Sequence, residues 1–164
     1  GVHNSLPAAM NRVQEMISEG VDIIDVGGES TRPGAERVTE AEELVRTIPV
    51  IEAVASAFPN VTISIDTTRA NVAEEALKAG AKIINDVSGG LADPNMAALV
   101  AKSGLKYVVM HWRGSSDNMQ SKAIYEDVNS EVIHELIERV DSLKSAGVLE
   151  NQIILARDHE RQSK

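Results

Sequence analysis

Apolar positions along this chain follow two spacings in turn. Met10, Val13, Met16 and Ile17 fall on one face of a helix, with Ser5 placed as its N-cap and Gly20 as the residue that ends it. Val21-Asp22-Ile23-Ile24-Asp25-Val26 follows. It is too short and too aliphatic for a surface helix, and predicts a buried parallel strand. Thr39 and Glu42 form a capping-box pattern ahead of Leu44, Val45, Ile48, Ile51 and Val54, a second helix. Pro49 lies inside that pattern and lacks a backbone donor, so a kink or break is expected there.

The cycle then repeats. Val61-Thr62-Ile63-Ser64-Ile65-Asp66 predicts a strand, and Val72, Ala73, Ala76 and Leu77 line a short helix closed by Gly80. Ala81-Lys82-Ile83-Ile84-Asn85-Asp86 predicts the next strand, and Asp93-Pro94 an N-cap and first helical position. Met96, Leu99 and Val100 mark that helix up to Gly104, and Leu105 to Met110 a fourth strand. Val128, Val132, Leu136, Val140 and Leu143 give a long amphipathic helix ending near Gly147, followed by the strand Ile153-Ile154-Leu155. Strands alternating with helices imply parallel neighbours, since each helix carries the chain back across the sheet. All strand carboxyl ends then share one rim, where Asp25, Asp66, Asn85 and His111 are expected to converge. A barrel and a doubly wound sheet both meet this pattern. No Gly-x-Gly-x-x-Gly turn follows the first strand to invite a dinucleotide.

Composition narrows the function classes. A chain of 164 residues, 43% hydrophobic, supports one globular domain. A net charge of -9 without a basic stripe argues against a nucleic-acid partner. The absence of cysteine suits a reducing, cytoplasmic setting, and no apolar run approaches the roughly 20 residues of a membrane span. The chain opens on Gly1 rather than Met, which suggests an excerpt of a longer polypeptide.

The candidate chemistry lies where apolar runs stop in polar loops. Ile24-Asp25-Val26-Gly27-Gly28-Glu29-Ser30-Thr31-Arg32-Pro33-Gly34-Ala35 gathers carboxylates, hydroxyls, a guanidinium and a rigid turn at one strand end. Ser64-Ile65-Asp66-Thr67, Ile83-Ile84-Asn85-Asp86 and Met110-His111 end the next three strands. These four motifs, in this order over nearly the whole chain, resemble dihydropteroate synthase. The resemblance implies a TIM (β/α)8 barrel, present here as a partial barrel of about five βα units over residues 1–155, with an atypical tail at 156–164. It implies condensation of 6-hydroxymethyl-7,8-dihydropterin pyrophosphate with p-aminobenzoate, giving 7,8-dihydropteroate and pyrophosphate in folate biosynthesis, with sulfonamides as mimics of the amine.

Carried over residue by residue, Asp66 and Asn85 bind the pterin, whose donor edge needs a carboxylate and an amide oxygen. The structural alternative for Asp66 is an N-cap of the following helix. Met110 lines the pterin face, while Thr31, Arg32 and Pro33 serve the phosphoryl end and the p-aminobenzoate pocket. No residue is assigned catalysis. His111 and Arg113 carry no role, and Glu40, Glu42 and Glu43 read as a surface-exposed acidic first turn. Mg2+ is implied by the family, but its ligand loop is expected before Gly1 and no metal ligand is assigned in this chain. Asp158 lacks the family's Pro-Gly turn, so the second pterin-binding aspartate is not transferred to it. The parent enzyme is expected to be a homodimer through helices outside this chain. Half of a barrel leaves unpaired strand edges, which favour association, and little or no turnover is expected from this polypeptide alone. The alternatives are a pterin-binding methyltransferase module, against which the Ser30 to Gly34 loop speaks, and a catalytically inert fragment of the synthase.

Overall fold

The computed structural model describes residues 5–30, 37–110 and 128–156, with the backbone alone for 128–132. Helix α1 (Leu6–Ser18) starts at Ser5, whose hydroxyl accepts from the Ala8 N–H, and is followed by Gly20 at φ 90°. That positive φ closes the last turn and turns the chain into β1 (Ile23–Gly27). Helix α2 (Glu40–Ala57) opens on the expected capping box: Thr39 Oγ1 accepts from the Glu42 N–H and Glu42 returns a carboxylate to the Thr39 N–H. These bonds hold the Glu42 carboxyl below the usual carboxylate range, the backbone N–H contributing most.

Then come β2 (Thr62–Asp66), α3 (Ala70–Ala79), β3 (Ile83–Asp86), α4 (Met96–Ser103), β4 (Lys106–Met110), α5 (Val128–Ser145) and β5 (Ile153–Ala156). All adjacent strands pair in parallel, and the sheet order β1-β2-β3-β4-β5 never reverses. A doubly wound sheet reverses its order at a switch point, so this sequential order selects the barrel alternative. The result is a partial (β/α) barrel whose helices cover one face.

Alternate strand positions divide accordingly. Ile24, Val26, Ile63, Ile65, Ile84, Tyr107 and Val109 are buried, and they pack with Ile51 and Val54 of α2, Ala73 and Ala76 of α3, and Val100 of α4. The small side chains of α3 let it lie close to the sheet. On the opposite, concave face the register aligns Gly27 with Asp66, Asp66 with Asn85, and Asn85 with Val108.

Two local expectations change. Of the kink or break expected at Pro49, the break does not occur: helix α2 is continuous from Glu40 to Ala57. Pro49 and Val45 both lie on its exposed face, so the carbonyl that loses its amide partner can turn to water. Helix α4 begins at Met96 rather than at Pro94. Asp93 caps two places at once: Oδ1 accepts from the Asn95 N–H at 2.9 Å, and Oδ2 from the Ala70 N–H of α3 at 2.8 Å.

Candidate functional site

The carboxyl ends of β2 and β3 bring Asp66 and Asn85 onto one face, as expected from parallel strands, and Asp25, in the middle of β1, lies one layer deeper on the same face. Asp66 and Asn85 are register partners on neighbouring strands, hence about 4.8 Å apart along the sheet, and their side chains share a direction. Asp66 is not an N-cap: that position of α3 belongs to Arg69, whose N–H bonds Thr67 Oγ1 at 3.2 Å, while Asp93 satisfies Ala70. Relieved of structural duty, the Asp66 carboxyl faces the concave side. Burial, reinforced by the charges of Asp25, Asp86, Glu43 and Glu29, pushes its pKa up to about 7.

The Asn85 amide is oriented by its neighbour. Its Nδ2 donates to Asp25 Oδ2 at 3.2 Å, and a carboxylate can only accept, so Oδ1 is turned away from Asp25. Asn85 Oδ1 is buried and has no hydrogen-bond partner among the described residues. A buried acceptor left bare costs stability unless something else supplies a donor. Gly27 completes the row: a Cβ there would lie 3.4 Å from Asp66 Cβ and 3.6 Å from Asp66 Oδ2, so glycine leaves open space beside the carboxylate. Met110, half-buried, lies two residues beyond Val108, the register partner of Asn85, and so one layer nearer the rim on the same face.

Thr31, Arg32, Pro33, His111, Arg113 and Asp158 lie outside the described residues. The described residues contain no group of three or more His, Asp or Glu side chains able to hold a metal ion. Asp25 and Asp66 alone do not form a fitting magnesium site.

Behind this face stands a charged network that sequence reasoning missed. Glu43, expected on the surface, is 1% exposed and ion-paired with Arg69. Its helical position explains the correction, because Glu43 stands above Thr47, Ile51 and Val54 on the buried stripe of α2. Glu40 and Glu42 are exposed as expected. Arg69 Nη1 also reaches Glu29 Oε2 at 3.2 Å, and Nη2 donates to the Val38 carbonyl at 2.8 Å. A second missed cluster surrounds Asp86, which is fully buried on the helix-facing side. Oδ1 accepts from the Ser88 N–H and hydroxyl at 2.8 and 2.7 Å, and Oδ2 from the Gly90 N–H and Tyr107 hydroxyl at 2.9 and 2.7 Å. Four donors saturate that carboxylate and tie the loop after β3 to β4. Burial, together with the Asp86 charge, raises the Tyr107 phenol well above its ordinary range.

The model of the pterin binding enzyme family matches residues 1–158. The dihydropteroate synthase of Synechocystis is 45% identical over 155 residues, covering 94% of this chain and 53% of that protein. The crystal structure of Yersinia pestis dihydropteroate synthase in a sulfonamide drug complex superposes with a TM-score of 0.90 at 40% identity, covering 94% of this chain and 56% of that one. The Anaplasma phagocytophilum dihydropteroate synthase with bound 6-hydroxymethylpterin-monophosphate gives a TM-score of 0.87 at 38% identity, covering 93% and 61%. The chain thus spans little more than half the length of these relatives. With a sequentially ordered parallel sheet, strand-end polar residues on one face and a family match over nearly all of its length, the chain belongs to the pterin-binding enzyme family.

Proposed function

We propose that this chain supplies part of the pterin site of a dihydropteroate synthase. The observation that carries the reading is Asn85 Oδ1, without a hydrogen-bond partner among the described residues, on the residue that is the register partner of Asp66. A pterin ring presents an N–H and an exocyclic amine on one edge, two donors side by side. An amide oxygen and a carboxylate on adjacent strands supply acceptors for such donors. Asp25 holds the amide so that its oxygen, not its nitrogen, meets the ring. The pterin-monophosphate complex of the Anaplasma relative supports the same ligand class.

In this reading 6-hydroxymethyl-7,8-dihydropterin pyrophosphate loses pyrophosphate as the C–O bond of its methylene breaks. The amine nitrogen of p-aminobenzoate bonds to that carbon and gives up a proton. Asp66, once ionised against the ring's donor edge, favours the positive charge that grows there as the leaving group departs. Met110 packs on the pterin face. Thr31, Arg32 and Pro33 are assigned to the phosphoryl end and the p-aminobenzoate pocket through the family motif alone, and the Yersinia relative is known in a sulfonamide drug complex. Homodimerisation and Mg2+ are carried over from the family alone.

Pterin binding tests the proposal. 6-Hydroxymethylpterin monophosphate, titrated into the chain and followed by its fluorescence, should bind. Asp66→Asn and Asn85→Leu should each weaken it by about tenfold or more, since each removes a hydrogen bond that involves a charge or a buried group. No binding by the parent chain, or unchanged affinity in both variants, overturns the assignment.

A further inference from the structure

The proposed reading leaves the Arg69 network without a task, and its layout gives it one. We propose that Arg69 is a positioning residue that clamps the two stems of the loop following β1 and fixes them against the Asp66 end of β2. Glu29 lies two residues beyond the end of β1 and Val38 just ahead of α2, on either side of residues 31–36. Arg69 reaches both: Nη1 bonds Glu29 Oε2 at 3.2 Å and Nη2 bonds the Val38 carbonyl at 2.8 Å. Arg37 Nε adds a second tie from the returning stem to Glu29 Oε1 at 3.2 Å. Arg46 of α2 holds the Gly28 carbonyl at 3.1 Å.

The guanidinium is itself held in place. Glu43, 1% exposed, pairs with the same Nη1 and anchors it to α2. The Arg69 N–H bonds Thr67 Oγ1 at 3.2 Å, so the residue that clamps the stems is tied to the residue next to Asp66. Two loops and helix α2 thereby form one charge-assisted unit. A lysine could not do the same, because an ammonium is a point donor, whereas the planar fork of arginine addresses a carbonyl and two carboxylates in fixed directions. In such an arrangement the stems take their position from the strand end that carries Asp66. The inference rests on the proposed function only for its meaning, namely that residues between the stems serve the phosphoryl end of the pterin ester. The clamp itself is a claim about residues 28–30, 37, 38, 43 and 69.

Hydrogen exchange, read peptide by peptide on the 164-residue chain, separates the clamp from general stability. Arg69→Met should speed exchange of amides within 28–30 and 37–38 by about tenfold or more, with β3 and β4 unchanged. Arg69→Lys should fall short of restoring protection. Arg69→Met leaves Glu43 buried without a partner and risks unfolding the chain. The double variant Arg69→Met with Glu43→Met removes that charge as well, and should show the same local increase. Unchanged exchange at the stems in the double variant, or an equal rise throughout the sheet, overturns the clamp. These outcomes do not depend on pterin binding: a local increase without any ligand affinity retains the clamp and defeats the proposed function. Bound pterin with unaltered stems does the reverse.

Discussion

Replacing Asp66 by Asn gives a direct test of how the concave face treats charge. Burial above all pushes the Asp66 pKa up to about 7 from an ordinary value of 3.8. With partial contact of the carboxyl with solvent allowed for, holding this charge on the concave face costs roughly 2 kcal/mol. Because the raised value belongs to the folded state, folding takes up a proton between about pH 4 and pH 7. The carboxyl therefore costs nothing below pH 4, and stability is lost progressively as pH rises through that window. Asn keeps the shape without the charge. Urea unfolding of both proteins at pH 4.5 and pH 8 should show Asp66→Asn gaining roughly 2 kcal/mol on the parent between the two values, other groups cancelling in the comparison. A carboxyl carbon titration by NMR should place Asp66 near 7. A value below 5, or parallel stability curves for the two proteins, would refute the claim that burial and the surrounding acids disfavour this charge.

Binding of a pterin should release a proton from Asp66 near pH 6.5, seen as a buffer-dependent heat in calorimetry, and a heat independent of buffer would contradict ionisation on binding. Tyr107→Phe removes the 2.7 Å bond to Asp86 Oδ2 and should cost about 1.5–3 kcal/mol in urea unfolding. A change under 0.5 kcal/mol would mean that the other three donors suffice. Gly28→Ala places a Cβ 2.9 Å from Glu43 Cγ and 3.1 Å from the Glu43 carbonyl. It should destabilise the chain by about 1–3 kcal/mol, and a neutral result would show that α2 moves freely. The purified 164-residue polypeptide should form little or no dihydropteroate, since it spans only about half of the relatives it matches; steady product formation above a protein-free control would contradict this.

The helices, strands and most of their caps were legible in the sequence because their causes are local. Ser5, Thr39 with Glu42, and Gly80 act within a few residues of the turns they set, and hydrophobic spacing reports which face of an element must be covered. Alternation of strand and helix also placed Asp66 and Asn85 at one rim, because parallel strands leave no other arrangement. What the pattern does not carry is which element covers which. Sequential strand order, and with it the barrel rather than the doubly wound sheet, came from pairing. The same holds for Glu43, whose place on the buried stripe of α2 is readable but whose partner Arg69 is 26 residues away. Asp93 capping α3 and Tyr107 completing the Asp86 shell are likewise meetings of distant side chains. Above all, the sequence names Asn85 as an amide without saying which end is free. Only packing against Asp25 turns the nitrogen toward that carboxylate and leaves the oxygen as a buried acceptor without a partner among the described residues, because the direction of an amide is set by its neighbours and not by its own chain.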